Sequence, residues 1–237
     1  MKTQPPQQLT FDLPHRPALG AEDFLLSENN RGAVAMIDRW PDWPHPVVVL
    51  SGPPGSGKSH LAHVWQLRSG AACVAADALG EDTLAARAAQ DCMVVEDVDR
   101  GVRDQRAMFH LLNLAREHRF QVLVTARTEP GDWHLTLPDL RSRLRQATLA
   151  RIEAPDDGLL RAVLVKLFAD RQLMIDPQVV AQIGLRMERS MEAAVRLVAE
   201  IDRRALQTHR KVSRALVAEV RGAPDAGAPE DSLGSNA

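Results

Sequence analysis

The chain contains no tyrosine, and phenylalanine and tryptophan together supply only 4% of its 237 residues. A track for single-stranded nucleic acid needs several exposed rings on which bases stack, and this composition offers little to build one from. Cysteine is nearly absent as well. Cys73 and Cys92 sit in apolar surroundings and are not spaced as a metal pair, which points to buried free thiols in a reducing compartment. Positive charge is not in excess: 29 Lys and Arg face 31 Asp and Glu, for a net charge of -2, which argues against a generally basic protein that coats DNA. No apolar run approaches the length of a membrane span, and Met1–Asp12 lacks the apolar core of a signal peptide. A cytoplasmic protein without a membrane partner is expected. The hydrophobic share, 45%, is enough to bury a real core in one large domain or two small ones.

The most informative stretch is Val47-Val48-Val49-Leu50-Ser51-Gly52-Pro53-Pro54-Gly55-Ser56-Gly57-Lys58-Ser59-His60-Leu61. An apolar β-branched run stops at a glycine-rich turn, and the turn opens into helix-forming residues, the context a P-loop requires. Glycines at 52, 55 and 57 let the backbone turn successive N–H groups onto phosphate oxygens. A helix starting near Lys58 adds its positive end. Lys58 then reaches the β- and γ-phosphates, and the Ser59 hydroxyl holds magnesium. The expected nucleotide set is Gly52, Pro54, Gly55, Ser56, Gly57, Lys58, Ser59 and His60, with ADP or ATP and Mg2+ as the cofactors.

Residues 1–20 carry prolines at 5, 6, 14 and 17 and are expected to form an extended arm. Within it, Gln8-Leu9-Thr10-Phe11-Asp12-Leu13 alternates polar and apolar residues, suited either to a partner's groove or to packing back as an edge strand. An entry helix is expected between Asp23 and Trp40 with Asn29-Asn30 as its cap. A short strand over Ala71–Ala76 and a helical stretch over Ala85–Ala89 follow the P-loop helix. Cys92–Asp99 reads as an apolar strand ending in acids, a Walker B element, expected beside the P-loop strand. Glu96 and Asp97 are both candidates for the magnesium ion, one serving the metal and the other the attacking water, and the spacing does not say which. Gln105–His118 reads as a helix covering the sheet. Gln121–Thr125 is the next strand, its polar end at Thr125 or Arg127 near the phosphates if the strand is central. Pro138 starts an arginine-bearing helix, and Ala147–Ile152 makes a last strand.

After Pro155 the pattern changes to helices alone, with Asp156, Asp176, Ser190 and Ser213 as N-caps. The expected architecture is α/β, a parallel sheet flanked by helices over 21–154 followed by a small all-α lid over 155–221. Residues 222–237 are expected to be a disordered tail. Over Leu159–Arg221 there are twelve Lys and Arg against seven Asp and Glu, a surplus of five that is more often a solvated face than a nucleic-acid site.

This order of parts resembles the AAA+ ATPases, and among them the family of the bacterial initiator DnaA and its short relative Hda, over most of Phe24 to Val220. Asn30 resembles the asparagine of the adenine-side motif. Leu137-Pro138-Asp139-Leu140-Arg141-Ser142-Arg143-Leu144 is similar to the box carrying the arginine finger, which puts that role on Arg143, with Asp97 as the second catalytic residue. The chain ends after the lid, where the initiator carries a DNA-reading domain, so no direct sequence-specific DNA binding is expected. The arm resembles the clamp-binding hexapeptide, with Gln8, Leu9, Phe11 and Leu13 as the contacts. The resemblance implies a regulator that, with the DNA polymerase III β sliding clamp, stimulates hydrolysis of DnaA-bound ATP and so prevents re-initiation, with homo-oligomerisation as a further possibility. Three positions depart from the initiator's pattern: Glu96-Asp97 replaces paired aspartates, Arg127 stands at an aspartate sensor, and Glu192 stands at the second sensor arginine, one turn from Arg196. These departures put self-catalysed hydrolysis in doubt. The alternative is a helicase-loader ATPase that binds single-stranded DNA; a small-molecule kinase is disfavoured because the helical segment follows the sheet.

Overall fold

The computed structural model describes residues 25–85, 90–117 and 120–222. Gln8, Leu9, Phe11 and Leu13, residues 86–89 of the stretch expected to be helical, His118 and the residues beyond Gly222 lie outside the described residues.

Five parallel strands form one sheet: β1 (Val47–Ser51), β2 (Ala72–Ala75), β3 (Cys92–Glu96), β4 (Gln121–Ala126) and β5 (Thr148–Arg151). The apolar runs are continuous because the sheet is covered on both faces. Val47 and Val49 join Val95, Val122 and Val124 in one core, against α4 (Gln105–Glu117) and α5 (Pro138–Gln146). Val48 and Leu50 join Val94 and Leu123 in the other, against α1 (Glu28–Asp38) and α2 (Lys58–Ser69). Period-two alternation within one run thus feeds two cores. A short α3 (Glu81–Ala85) lies between β2 and β3.

The strand order is β2-β3-β4-β1-β5. This corrects the expectation that the acid-ended strand neighbours the P-loop strand: β4 lies between them, paired with β1 through Val49 and Val124 and with β3 through Val94 and Leu123. Val122, Leu123 and Val124 are fully buried, so the run best able to lose water on both faces takes the central place.

The entry helix also differs from its sequence reading. Ser27 is the N-cap, in extended conformation, and Asn30 sits three residues on, its Oδ1 accepting from Ser27 N at 2.9 Å. An asparagine at that position can reach back to the cap's backbone N–H, and Ser27 was the overlooked start signal.

The C-terminal region is entirely helical: α6 (Asp157–Asp170), α7 (Pro177–Arg186), α8 (Met191–Thr208) and α9 (Arg214–Gly222). All four expected caps are in place. Leu159 N, Gln178 N, Ala193 N and Leu216 N donate to the side chains of Asp156, Asp176, Ser190 and Ser213. The apolar faces of these helices meet in a core of their own around Leu164, Phe168, Ile183, Val198, Ile201 and Leu216.

Candidate nucleotide site

The P-loop runs from the end of β1 into α2. Gly52 N donates to Ala126 O at 3.2 Å, which ties the start of the turn to β4. Gly55 and Gly57 have φ of 65° and 100°, the left-handed region in which a side chain is strained. Gly57 is the N-cap of α2, so Lys58, Ser59 and His60 form its first turn, with Ser59 and His60 exposed and Lys58 nearly buried. Pro54 is exposed at the tip.

Two glycines are also required by close approach. A Cβ on Gly52 would stand 2.2 Å from Ile152 O, and one on Gly55 would stand 2.0 Å from Ser190 Oγ. The second contact was not legible from the sequence. The start of α8 docks on the phosphate loop, with Met191 N donating to Gly55 O at 2.7 Å. Ser190 was readable as a cap, but nothing local says that the capped end faces Gly55.

Lys58 Nζ donates to Gly52 O at 2.8 Å and to Pro53 O at 2.9 Å, leaving one of its three donors. Burial pushes its pKa down; the carboxylates of Asp97 and then Asp99 push it up, and the Arg127 guanidinium adds a smaller lowering. Asp97, Asp99 and Arg127 are thus the charges that act on the P-loop lysine. Arg127 also lines a hollow with Gly52 and Pro53 at the end of the sheet, as expected for the polar end of a central strand.

The acids after β3 are held by β4. Asp97 has φ 58°, its N–H donating to Thr125 Oγ1 at 3.1 Å, and Arg127 N donates to Asp99 Oδ1 at 2.9 Å. Asp97 Oδ2 lies 3.3 Å from Arg100 Nη1. Glu96 Oε2 accepts from Cys73 Sγ at 3.6 Å on neighbouring β2. Asp99 was passed over in the sequence as a trailing acid; the turn at Asp97 brings it back.

Beside the loop, a cavity of ≈ 250 Å³ opens between the sheet region and the helices. Ser56, Gly57 and His60 line it from the P-loop side, Leu25 and Asn30 from the entry segment, and Val163, Leu167, Met191 and Val195 from α6 and α8. Its mostly apolar wall suits a planar base. Asn30 is buried there, its Oδ1 accepting from Ser27 N and its Nδ2 donating to Leu25 O at 2.8 Å, which uses one of the two amide hydrogens on that nitrogen. Ser56 Oγ is buried without a hydrogen-bond partner. An orphaned hydroxyl beside a strained amide-rich turn and an apolar recess fits a nucleotide, because buried polar groups are otherwise satisfied. Among the described residues no group of three or more His, Cys, Asp or Glu is arranged around a metal. Magnesium does not need one, since it keeps several waters and is held by one or two protein oxygens plus phosphates. Ser59 and Asp97 fit that donor set.

Glu192 and Arg196 pair with each other at 3.8 Å across one turn of α8, both mostly exposed. Arg143 is not in this cleft. It lies over the Phe109 ring at 5.5 Å and lines a hollow with His45, Val47 and Arg116, at the end of β1 remote from the P-loop. Arg141 donates to Leu135 O at 2.7 Å, and Arg145 is exposed.

Among the described residues no helix is long and apolar enough to cross a membrane. No family model matches the chain. It is similar to the chromosomal replication initiator protein DnaA of Thermomicrobium roseum, 25% identical over 245 residues, covering 90% of this chain and 51% of that protein. The chain thus spans about half the length of that relative. Its structure is similar to domain III of the Thermotoga maritima replication initiation protein DnaA, with TM-score 0.72 and 15% identity, over 87% of this chain and 97% of that one. It is also similar to the Thermotoga maritima RuvB Holliday junction branch migration motor, with TM-score 0.65 and 19% identity, over 83% and 69% of the two chains. The parallel sheet, the P-loop and the helical region after them are those of an AAA+ P-loop fold, and the sequence is DnaA-like.

Proposed function

We propose that this chain is a nucleotide-binding regulator of the DnaA initiator. Anchored to the DNA polymerase III β sliding clamp through Gln8, Leu9, Phe11 and Leu13, it promotes hydrolysis of ATP held by DnaA and so limits re-initiation. The division into arm (1–20), P-loop domain (21–154), helical lid (155–221) and tail (222–237) belongs to the same proposal. Support comes from the DnaA-like sequence, from the clamp-motif pattern in the arm and, above all, from where Arg143 lies.

That position carries the reading. β1 has five residues, roughly 15 Å of strand at ~3.3 Å per residue, between the P-loop end and the end where Arg143 lines its hollow. No arginine side chain spans that distance. Arg143 therefore has no route to its own chain's nucleotide and suits a neighbour's, where its planar fork meets charge developing on the transferred phosphoryl group.

The chain's own nucleotide has a holding role in this account. The amides of residues 55–59 and Lys58 bind the phosphates, Ser59 and Asp97 supply oxygens to magnesium, and the recess beside Ser56 takes the base. When bound, magnesium neutralises phosphate charge. The test is reconstitution: DnaA loaded with ATP, clamp loaded on DNA, and this protein with ADP. Hydrolysis of DnaA-bound ATP is expected to accelerate only when all three proteins are present, and an unchanged rate refutes the proposal.

A further inference from the structure

The lid's arginines divide into two groups. Arg171, Arg189, Arg196, Arg203 and Arg210 each lie within ion-pair distance of a carboxylate: Asp202, Asp157, Glu192, Glu200 and Glu219. Arg161, Arg186, Arg204, Arg214 and Arg221 do not; among the described residues none of them has a carboxylate partner. Arg186, Arg214 and Arg221 line one hollow of ≈ 330 Å³ between α7 and α9, together with Gln182 and an apolar floor of Val179, Ile183 and Val217, and no acid among the described residues lines it.

Gathering three guanidinium groups where no carboxylate answers them costs mutual repulsion. Helix dipoles account for part of it, because Arg186 and Arg221 lie in the last turns of α7 and α9, where cations are favoured. They do not account for Arg214. It is the first residue of α9, at the positive end of the dipole, where a cation is disfavoured. Two of the three are pre-positioned: Arg214 Nη2 donates to Gln178 Oε1, and Arg221 Nη2 donates to Arg186 O at 2.6 Å. Held guanidiniums lose less freedom on meeting an anion.

The walls narrow the choice of anion. Both are helices, so an extended peptide finds no strand edge to pair with. No aromatic residue among the described ones lines the hollow, so it offers no stacking surface of the kind single strands require. What remains is recognition by charge and planar donors, the chemistry that meets a phosphodiester row. We propose that the α7–α9 hollow binds the phosphate backbone of duplex DNA without reading its sequence. With a whole-chain net charge of -2, such binding has to come from a local cluster. The proposal is independent of the trans-acting role and of the clamp.

The experiment is fluorescence anisotropy of a labelled random-sequence 30-base-pair duplex with the full chain, titrated at several salt concentrations. Three phosphate contacts give a log–log slope of about -2.7, so affinity should fall about 40-fold between 50 and 200 mM salt. Arg186→Gln, Arg214→Gln and Arg221→Gln should each flatten the slope by about one, and the triple variant should lose binding. Arg221→Lys, which keeps the charge and gives up the bond to Arg186 O, should retain the slope and so separates charge from folding. Arg203→Gln, whose partner is Glu200, should match the parent. No binding at 50 mM salt overturns the proposal. So does a triple variant that binds normally, and so does capture of a poly-glutamate peptide but not of duplex, which would assign the hollow to an acidic protein.

Discussion

Replacing Gly55 by alanine tests whether the start of α8 is part of the nucleotide site. The new Cβ would lie 2.0 Å from Ser190 Oγ and 2.9 Å from Ser190 Cβ, far inside contact distance. Its backbone is also held at φ 65°, which costs a non-glycine residue ~1–2 kcal/mol. If the helix end moves off to relieve the clash, the bond from Met191 N to Gly55 O is lost, another ~0.5–1.5 kcal/mol. The sum is about 1.5–3.5 kcal/mol, equivalent to a fall of roughly 10- to 350-fold in ADP affinity where the bound state needs the docked arrangement. Calorimetry on Gly55→Ala measures that fall. The informative variant is Gly55→Ala combined with Ser190→Gly, which removes both clashing atoms at the cost of only a few tenths of a kcal/mol in capping. It should recover about half of the loss in free energy, leaving the φ strain, and a double-mutant cycle should give a coupling of ~1 kcal/mol or more. A lesion confined to the phosphate loop predicts no recovery. Additive effects of the two substitutions would refute the docking of α8 as a component of binding.

Four further outcomes are expected. Lys58→Ala should abolish ADP binding, because loop amides alone then face the phosphates; unchanged affinity by calorimetry would contradict this. The lysine's pKa is depressed in the free protein, so between that lowered value and 10.5 part of the population is neutral, and arriving phosphates recharge it. ADP binding should therefore take up protons in the alkaline range below 10.5, read from calorimetry in buffers of different ionisation enthalpy, and no uptake there would contradict this. Glu192 is mostly exposed and paired with Arg196, so its repulsion of a γ-phosphate is screened; Glu192→Ala should shift the ADP-to-ATP affinity ratio by less than about threefold. A tenfold shift would place that side chain in the cleft. Leu9→Ala with Phe11→Ala should remove clamp binding in a pull-down while leaving the melting temperature unchanged, and a lowered melting temperature would assign these side chains to the fold.

The P-loop and the lid caps were legible because their chemistry is local: Gly55 and Gly57 need positive φ, and Asp156, Asp176, Ser190 and Ser213 each precede an apolar periodic run. Strand order was not. Alternation marks Val94 and Leu123 as sheet residues, but which strand lies beside Val49 depends on how the crossovers pack. The entry cap was misplaced because Asn29 and Asn30 are strong cap formers in their own right and masked Ser27. Asp99, Ser190 over Gly55, and the meeting of Arg186, Arg214 and Arg221 all join residues far apart in the chain or reached through a left-handed turn. No spacing rule in a single sequence carries that information. The charge surplus of the lid was visible as a number, but the meeting of three of its arginines in one hollow was not.

The central claim is that Arg143 works on another subunit's nucleotide, and its variants in the reconstituted DnaA–clamp–DNA hydrolysis assay test it most directly. Arg143→Ala should retain ADP binding, folding and clamp capture while losing stimulation, since fingers of this kind are worth ~10³–10⁵ in rate. Arg143→Lys should fail as well, because a point charge does not reproduce the fork. Arg145→Ala, an exposed neighbour on α5, should behave as the parent. Full stimulation by Arg143→Ala would contradict the account.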